Sequence, residues 1–254
     1  MTAEAIYPDL KGRTVLVTGG GGGIGAEIVR RFAAQGALVG FIDLSEEPSR
    51  RLVAELEGKG AKVRFARADL TDIEATRAAI AELREALGPV SILVNNAAHD
   101  ERHRLEDVTP EYWDSRMAVN LKHQFFCTQA VVGDMRALGG GAIVNMGSIS
   151  WMIGQGGMAG YTAAKSAVIG LTRSLARDLG PDNIRVNCIA PGWIMTERQI
   201  ALWLDEAGER EIMERQCLKR KLVPADVARV VLFFCSDAAA ACTNQTYIVD
   251  GGWI

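Results

Sequence analysis

Long apolar runs, basic clusters, paired cysteine spacings and histidine-rich groups are all missing from this sequence, and each absence removes a class of function. No apolar stretch approaches the ~18 residues that a membrane-spanning helix requires, and residues 1–10 have neither the basic start nor the apolar core of a signal peptide. The expectation is a cytoplasmic protein with no membrane partner. A net charge of −3, with Lys and Arg scattered among acids, offers no electrostatic footprint for nucleic acid. Cys127, Cys188, Cys217, Cys235 and Cys242 are odd in number and include no CxxC, which suits reduced thiols better than a disulfide framework. The histidines are His99, His103 and His123, and none shares a ligand spacing with a cysteine. His99 and His103 bracket Asp100-Glu101-Arg102, which reads as a loop rather than a chelating helix, so no metal site is expected.

What is present is a repeating alternation of strand and helix patterns. The 254 residues and 48% hydrophobic content allow a sizeable core, in one large α/β domain or two small ones. Thr14–Thr18 is a β-branched apolar run that ends in five glycines, Gly19 to Gly23, then Ile24 and Gly25, after which Ile24, Ile28, Val29 and Phe32 recur at helical spacing up to Gly36. Strand, glycine turn and helix make a cradle for a pyrophosphate, because glycine admits close backbone approach and the helix start offers free N–H groups. A merely flexible glycine turn fits the same letters. A nucleoside-triphosphate loop does not, since Ala26 and Glu27 stand where Lys and Ser/Thr would be needed.

Leu38–Ile42 reads as a second strand ending at Asp43, some 20 residues past the glycines. A carboxylate there would hold ribose hydroxyls and repel a 2′-phosphate, which predicts NAD over NADP; neither Gly20 nor Leu44 supplies a basic group for that phosphate. A plain strand-end turn is the alternative. Further strands are expected at 62–66, 90–94, 142–146, 184–189 and 246–249, with helices over 72–87, 110–138 and 161–179. The pattern implies one doubly wound, mostly parallel, Rossmann-type sheet of about seven strands with helices on both faces, spanning residues 1–254. Residues 196–222 break the rhythm as one or two inserted short helices, either a substrate lid or an immobile cap.

Tyr161 and Lys165 are four residues apart, on one face of the last long helix. A nearby ammonium stabilises a phenolate, so Lys165 is expected to lower the Tyr161 pKa and let it move protons. Ser148 lies thirteen residues upstream, past the apolar run 142–146, and so stands at the carboxyl end of a strand where α/β sheets bind ligands. Tyr and Lys at this spacing also occur in many helices without catalytic meaning.

Taken in chain order, Thr18-Gly19-x-x-x-Gly23-Ile24-Gly25, Asn95-Asn96-Ala97, Asn120, Ser148, Tyr161-x-x-x-Lys165 and Pro191-Gly192 resemble the short-chain dehydrogenase/reductase family over essentially the whole chain. Ala98 departs from the glycine usual there. The N-terminal segment 5–12, Asp100-x-Arg102-His103, the run Gly147 to Trp151 and Gln216 to Lys219 also resemble the bacterial aldose 1-dehydrogenases of xylose and galactose type. The family resemblance implies Tyr161 as general base, Lys165 tuning it and holding the nicotinamide ribose, Ser148 orienting the reacting oxygen, and Asn120 holding a water that leads protons out. It implies NAD as the cofactor. Gly19, Gly23, Ile24 and Gly25 would meet the pyrophosphate, Asp43 the adenosine ribose, Asp69 and Leu70 the adenine, Asn96 the middle of the cofactor, and Ile194 and Thr196 the nicotinamide amide. A sugar needs directed hydrogen bonds and an apolar face, which points to Ser148, Ser150, Trp151, His99, Arg102, Gln155 and Trp193. Trp151 and Trp193 serve equally well as packing residues. The resemblance further implies a homotetramer. A carbonyl reductase of the 3-oxoacyl-carrier-protein reductase type, and an NAD-binding regulator that has lost its chemistry, remain as alternatives.

Overall fold

Alternating side chains of one strand feed two separate cores, and this sets the layering of the computed structural model, which describes residues 5–254. In β1 (Thr14–Thr18), Val15 and Val17 face one apolar cluster and Leu16 faces the other, as the two-residue strand period demands. The first cluster gathers α1 (Gly23–Ala34) and α2 (Glu46–Glu57) through Ile28, Phe32 and Leu52. The second gathers α3 (Ile73–Leu87) through Ile80 and Leu83. Each such fully buried side chain contributes roughly 1.5–3 kcal/mol.

The remaining strands are β2 (Leu38–Asp43), β3 (Lys62–Arg67), β4 (Ile92–Asn95), β5 (Gly141–Met146), β6 (Ile184–Pro191) and β7 (Thr246–Val249). They form one seven-stranded sheet in the order β3-β2-β1-β4-β5-β6-β7, and every pairing is parallel. The order reverses between β1 and β4. A crevice opens at such a switch point, outside the carboxyl ends of the strands. Residues 1–4 of the expected 1–254 domain lie outside the described residues.

The helical pattern expected unbroken over 110–138 is divided. It runs as α4 (Pro110–Met117), a π-helical turn (Ala118–Lys122) and α5 (His123–Ala137). The π turn centres on Asn120, whose fully buried amide is tied to the main chain of His99: Oδ1 accepts from His99 N at 2.8 Å and Nδ2 donates to His99 O at 3.2 Å. No local propensity encodes that turn, because its cause is this tertiary contact. After α6 (Ala159–Leu179) and β6, the segment expected at 196–222 folds as α7 (Glu197–Leu202) and α8 (Glu206–Arg215). It leaves and returns at one place, where Ile194 pairs with Leu222. α9 (Pro224–Cys235) follows, with Pro224 in its first turn and its apolar face packed into the same core as α1. Among the described residues no helix is long and apolar enough to cross a membrane, and all five cysteines are free.

Candidate active site

The turn after β1 is built so that only glycine fits. Gly19 and Gly23 have φ of +66° and +53°, a region that L side chains avoid. A Cβ on Gly25 would lie 1.9 Å from Gly19 O, and one on Gly20 would lie 2.6 Å from the Phe41 Cβ. Gly22, by contrast, faces open space and leaves the start of α1 without a side-chain cap. The result is a side-chain-free concavity at the positive end of a twelve-residue helix, with Gly19, Gly23, Ile24 and Gly25 on its wall. That shape and polarity fit a diphosphate.

Asp43, at the end of β2, points its carboxylate at the same turn. Oδ2 accepts from Gly21 N and Oδ1 from Ser45 N, both at 2.8 Å. Asp69 and Leu70 line the cavity beyond it, Leu70 buried and Asp69 bonded to Thr71. Asn96 also lines the cavity, but its Nδ2 donates to Thr18 O and Gly19 O, each at 3.0 Å, so it braces the glycine turn. Ile194 and Thr196 complete this side; Thr196 Oγ1 caps α7 by accepting from Gln199 N, and its Cγ2 would sit 3.1 Å from a Cβ on Gly23.

The same cavity, about 1240 Å³, continues past Ser148, Tyr161 and Lys165. Ser148 is fixed because its neighbours pair with β6: Gly147 N donates to Ile189 O at 2.7 Å and Ile149 N to Pro191 O at 3.1 Å. Tyr161 enters from the first turn of α6, where Gly160 lets α4 approach; a Cβ there would lie 3.1 Å from Arg116 Cβ. Lys165, one turn on, is 1% exposed, with Nζ 5.6 Å from the Tyr161 ring centre.

Here one expectation is overturned. Lys165 does not pull the Tyr161 pKa down in the protein alone. Burial pushes the phenol above its usual value, the neighbouring Ser148 hydroxyl lowers it, and the Asp100 carboxylate raises it further. The lysine sends its proton elsewhere: Nζ donates to Met146 O at 2.7 Å, and burial drops its own pKa to about 8. Desolvation therefore outweighs the pairing that the spacing suggests.

At the substrate end the structure sorts the expected residues. His99, Arg102, Ser150, Gln155 and Trp193 line the cavity with Ser148 and Tyr161. The buried Ser150 Oγ has no protein partner. Trp193 packs its ring against Gly208 and donates Nε1 to Gln199 Oε1 at 3.0 Å, so it ties the inserted helices together. Trp151 is off the wall, exposed in the turn beyond Ser150, because residues 149–154 coil back on themselves through Met152 N and Ile153 N to Ile149 O. The C-terminal Trp253 lines this chain's own cavity. Among the wall residues that sequence reasoning does not identify are three charged ones, Asp100, Arg116 and Arg198. Asp100 carried a signal, being an acid just past the carboxyl end of β4. Among the described residues no group of three or more His, Cys, Asp or Glu is arranged to hold a metal.

A family model described as enoyl-(acyl carrier protein) reductase matches residues 19–254. The chain is 50% identical over 251 residues to D-xylose 1-dehydrogenase of Caulobacter vibrioides, covering 99% of both proteins. It is 51% identical over 247 residues to a probable galactose dehydrogenase, GalD, of Rhizobium meliloti, covering 97% of this chain and 96% of that one. A solved structure from Sinorhizobium meliloti 1021, assigned as a short-chain alcohol dehydrogenase, superposes with a TM-score of 0.92 at 36% identity, covering 97% of this chain and 98% of that one. A blue fluorescent protein from a metagenomic library, solved with NADPH, superposes at 0.89 with 36% identity, covering 96% and 99%.

Proposed function

The chain belongs to the short-chain dehydrogenase/reductase family, and from that premise we propose that it oxidises a cyclic aldose at the anomeric carbon to the lactone, with NAD as the acceptor. That it is an oxidoreductase follows from the family and from its likeness to two sugar dehydrogenases. The observation that carries the mechanistic reading is one continuous cavity that joins a side-chain-free diphosphate cradle to Ser148, Tyr161 and Lys165. The near-full-length likeness to a xylose and a galactose enzyme supports a polyhydroxylated substrate.

In this reading Tyr161 Oη takes the proton of the anomeric hydroxyl, and the Ser148 hydroxyl donates to the same oxygen and fixes its position. Lys165, held by Met146 O, stands one turn below the phenol and keeps its ammonium beside the developing phenolate and the nicotinamide ribose. The Asn120 amide holds the loop at His99 on the other side of the site. Bound NAD supplies the acceptor for the hydride that leaves C1. Loss of that hydride and of the hydroxyl proton converts the hemiacetal carbon to a lactone carbonyl. The protein's contribution is distance, orientation and charge.

NAD is favoured over NADP because the Asp43 carboxylate would oppose a 2′-phosphate, even though a structural neighbour binds NADPH and Arg51 lines the same end of the cavity. Arg51 is paired with Glu47 at 2.8 Å, which offsets its charge. Asp43→Asn keeps an acceptor for Gly21 N–H while removing the charge. It should raise kcat/KM with NADP by roughly tenfold or more, since a like-charge contact is relieved. An unchanged NAD/NADP ratio would exclude this role for Asp43.

The homotetramer belongs to the same proposal: Trp113 and Phe125 on α4 and α5, and Tyr247 and Ile248 on β7, are exposed apolar side chains at two separate places, as two interfaces would need. The deciding experiment follows NADH absorbance with a panel of free aldoses, including xylose, arabinose, galactose, glucose, fucose and rhamnose, with NAD and NADP in parallel. Turnover of one sugar supports the reading. Silence across the panel, with NAD binding intact, would discard it in favour of a non-sugar alcohol or ketone.

A further inference from the structure

Asp100 stands between the catalytic tyrosine and the inserted helices. It lines the cavity with Ser148 and Tyr161, and its side chain is 19% exposed. Each carboxylate oxygen is held by a different residue of α7: Oδ1 accepts from Arg198 Nε at 3.2 Å, and Oδ2 from Gln199 Nε2 at 2.5 Å. Gln199 also accepts from Trp193 Nε1 at 3.0 Å. Two residues beyond Asp100, the Arg102 guanidinium lies 4.2 Å over the Trp203 ring. These contacts fasten the loop after β4 to residues 193–203, across the mouth of the cavity.

A carboxylate oxygen has two lone pairs, so one acceptor position on each oxygen remains after the bonds to α7 are counted. An ionised acceptor is also the stronger partner for a neutral hydroxyl. The placement has a chemical cost, because the Asp100 charge opposes ionisation of Tyr161. A neutral amide would keep only part of the latch, since its oxygen accepts while its nitrogen can only donate; the carboxylate serves both α7 bonds and still leaves an acceptor position free on each oxygen.

We infer that Asp100 determines specificity for a polyhydroxylated substrate, accepting a hydrogen bond from a sugar hydroxyl while it holds α7 over the cleft. Recognition and closure then share one residue, and the inference rests on the aldose reading above. Charged neighbours surround it on every side: Arg198 from α7, Glu101 and Arg102 from its own loop, His99 with Arg116 of α4 behind it, and Tyr161 and Lys165 from α6.

The test is Asp100→Asn beside Arg198→Ala, assayed with the preferred aldose and with its monodeoxy forms. Loss of a charge-assisted hydrogen bond to substrate should raise KM for the parent sugar roughly ten- to a hundredfold in Asp100→Asn. For the one deoxy sugar that lacks the recognised hydroxyl the penalty should fall to the level that latch loss alone produces, as in Arg198→Ala. The lower limb of the kcat/KM pH profile should move to lower pH, because a negative charge has left Tyr161. Arg198→Ala should raise KM for all the sugars alike and leave the limb in place, because it loosens only the latch. An equal Asp100→Asn penalty across every deoxy sugar, or an unmoved KM, overturns the inference while the aldose reading stands. Wild-type silence on every aldose overturns both.

Discussion

Replacing Tyr161 by Phe is expected to cut kcat/KM for the preferred sugar by roughly 10²–10⁴-fold, the range a positioned general base contributes. The fold should survive the change. The tyrosine is half-buried on the cavity wall, the phenyl ring keeps that packing, and only the hydroxyl beside Ser148 is lost. Cofactor affinity should therefore stay near that of the wild type, because the glycine turn, Asp43 and Lys165 are untouched. A pH signature accompanies the loss. Burial holds the phenol above its usual value, so wild-type kcat/KM should climb with pH toward the ionisation of Tyr161. The residual rate of the Phe variant should lack that limb. Steady-state rates across pH, with NAD binding followed separately by fluorescence, make the check; turnover retained within tenfold of the wild type would remove Tyr161 from the proton-transfer role.

The parts of this site that could be read in the sequence are those fixed by local geometry. The turn from Gly19 to Gly25 was legible because the φ angles at Gly19 and Gly23 and the close approaches at Gly20 and Gly25 admit no side chain there. All seven strands fall within two residues of their expected bounds, the fourth, expected at 90–94, being Ile92–Asn95, because parallel strands read as continuous apolar runs. Ser148 at a strand end and Tyr161 above Lys165 on a helix follow from chain direction and the helical period.

What was not legible depends on contacts between distant segments. The π turn at Asn120 exists because His99, 21 residues away, bonds its amide. The Lys165 ammonium goes to Met146 O, 19 residues away, and no spacing rule specifies that partner. Trp151 is a suitable residue type for a sugar platform, yet the turn at 149–154 carries it away from the cavity. Asp100 was passed over in favour of His99 and Arg102 although it stands between them, because only the α7 contacts reveal what its carboxylate meets.

Lys165→Met separates function from stability most sharply. Wild-type Lys165 is buried, and its folded pKa of about 8 lies below the ordinary 10.5. Between those two values the unfolded chain binds more protons than the folded one, so this residue makes stability rise with pH across that window. Below about pH 8 the lysine is charged in both states, and the cost of burying that charge is fully present, roughly 3 kcal/mol at 1.36 kcal/mol per pKa unit. Methionine fills similar volume without a charge. It leaves Met146 O without its partner, which takes back roughly 1–2 kcal/mol. The variant should then be about 1–2 kcal/mol more stable than the wild type at neutral pH, a rise in melting temperature of roughly 2–8 °C for a chain of this size. Turnover should meanwhile fall by roughly 10²–10⁴-fold, because the ammonium that would hold the nicotinamide ribose against Tyr161 is gone. The gain should also shrink as pH rises from about 8 towards 10.5, where the wild-type lysine sheds its proton on folding. Thermal melts of both proteins at several pH values, set beside their rates, carry the test. A variant that is less stable at every pH would mean that Lys165 supports the fold. One that is more stable and inactive would mark it as a residue kept for chemistry at the expense of the fold.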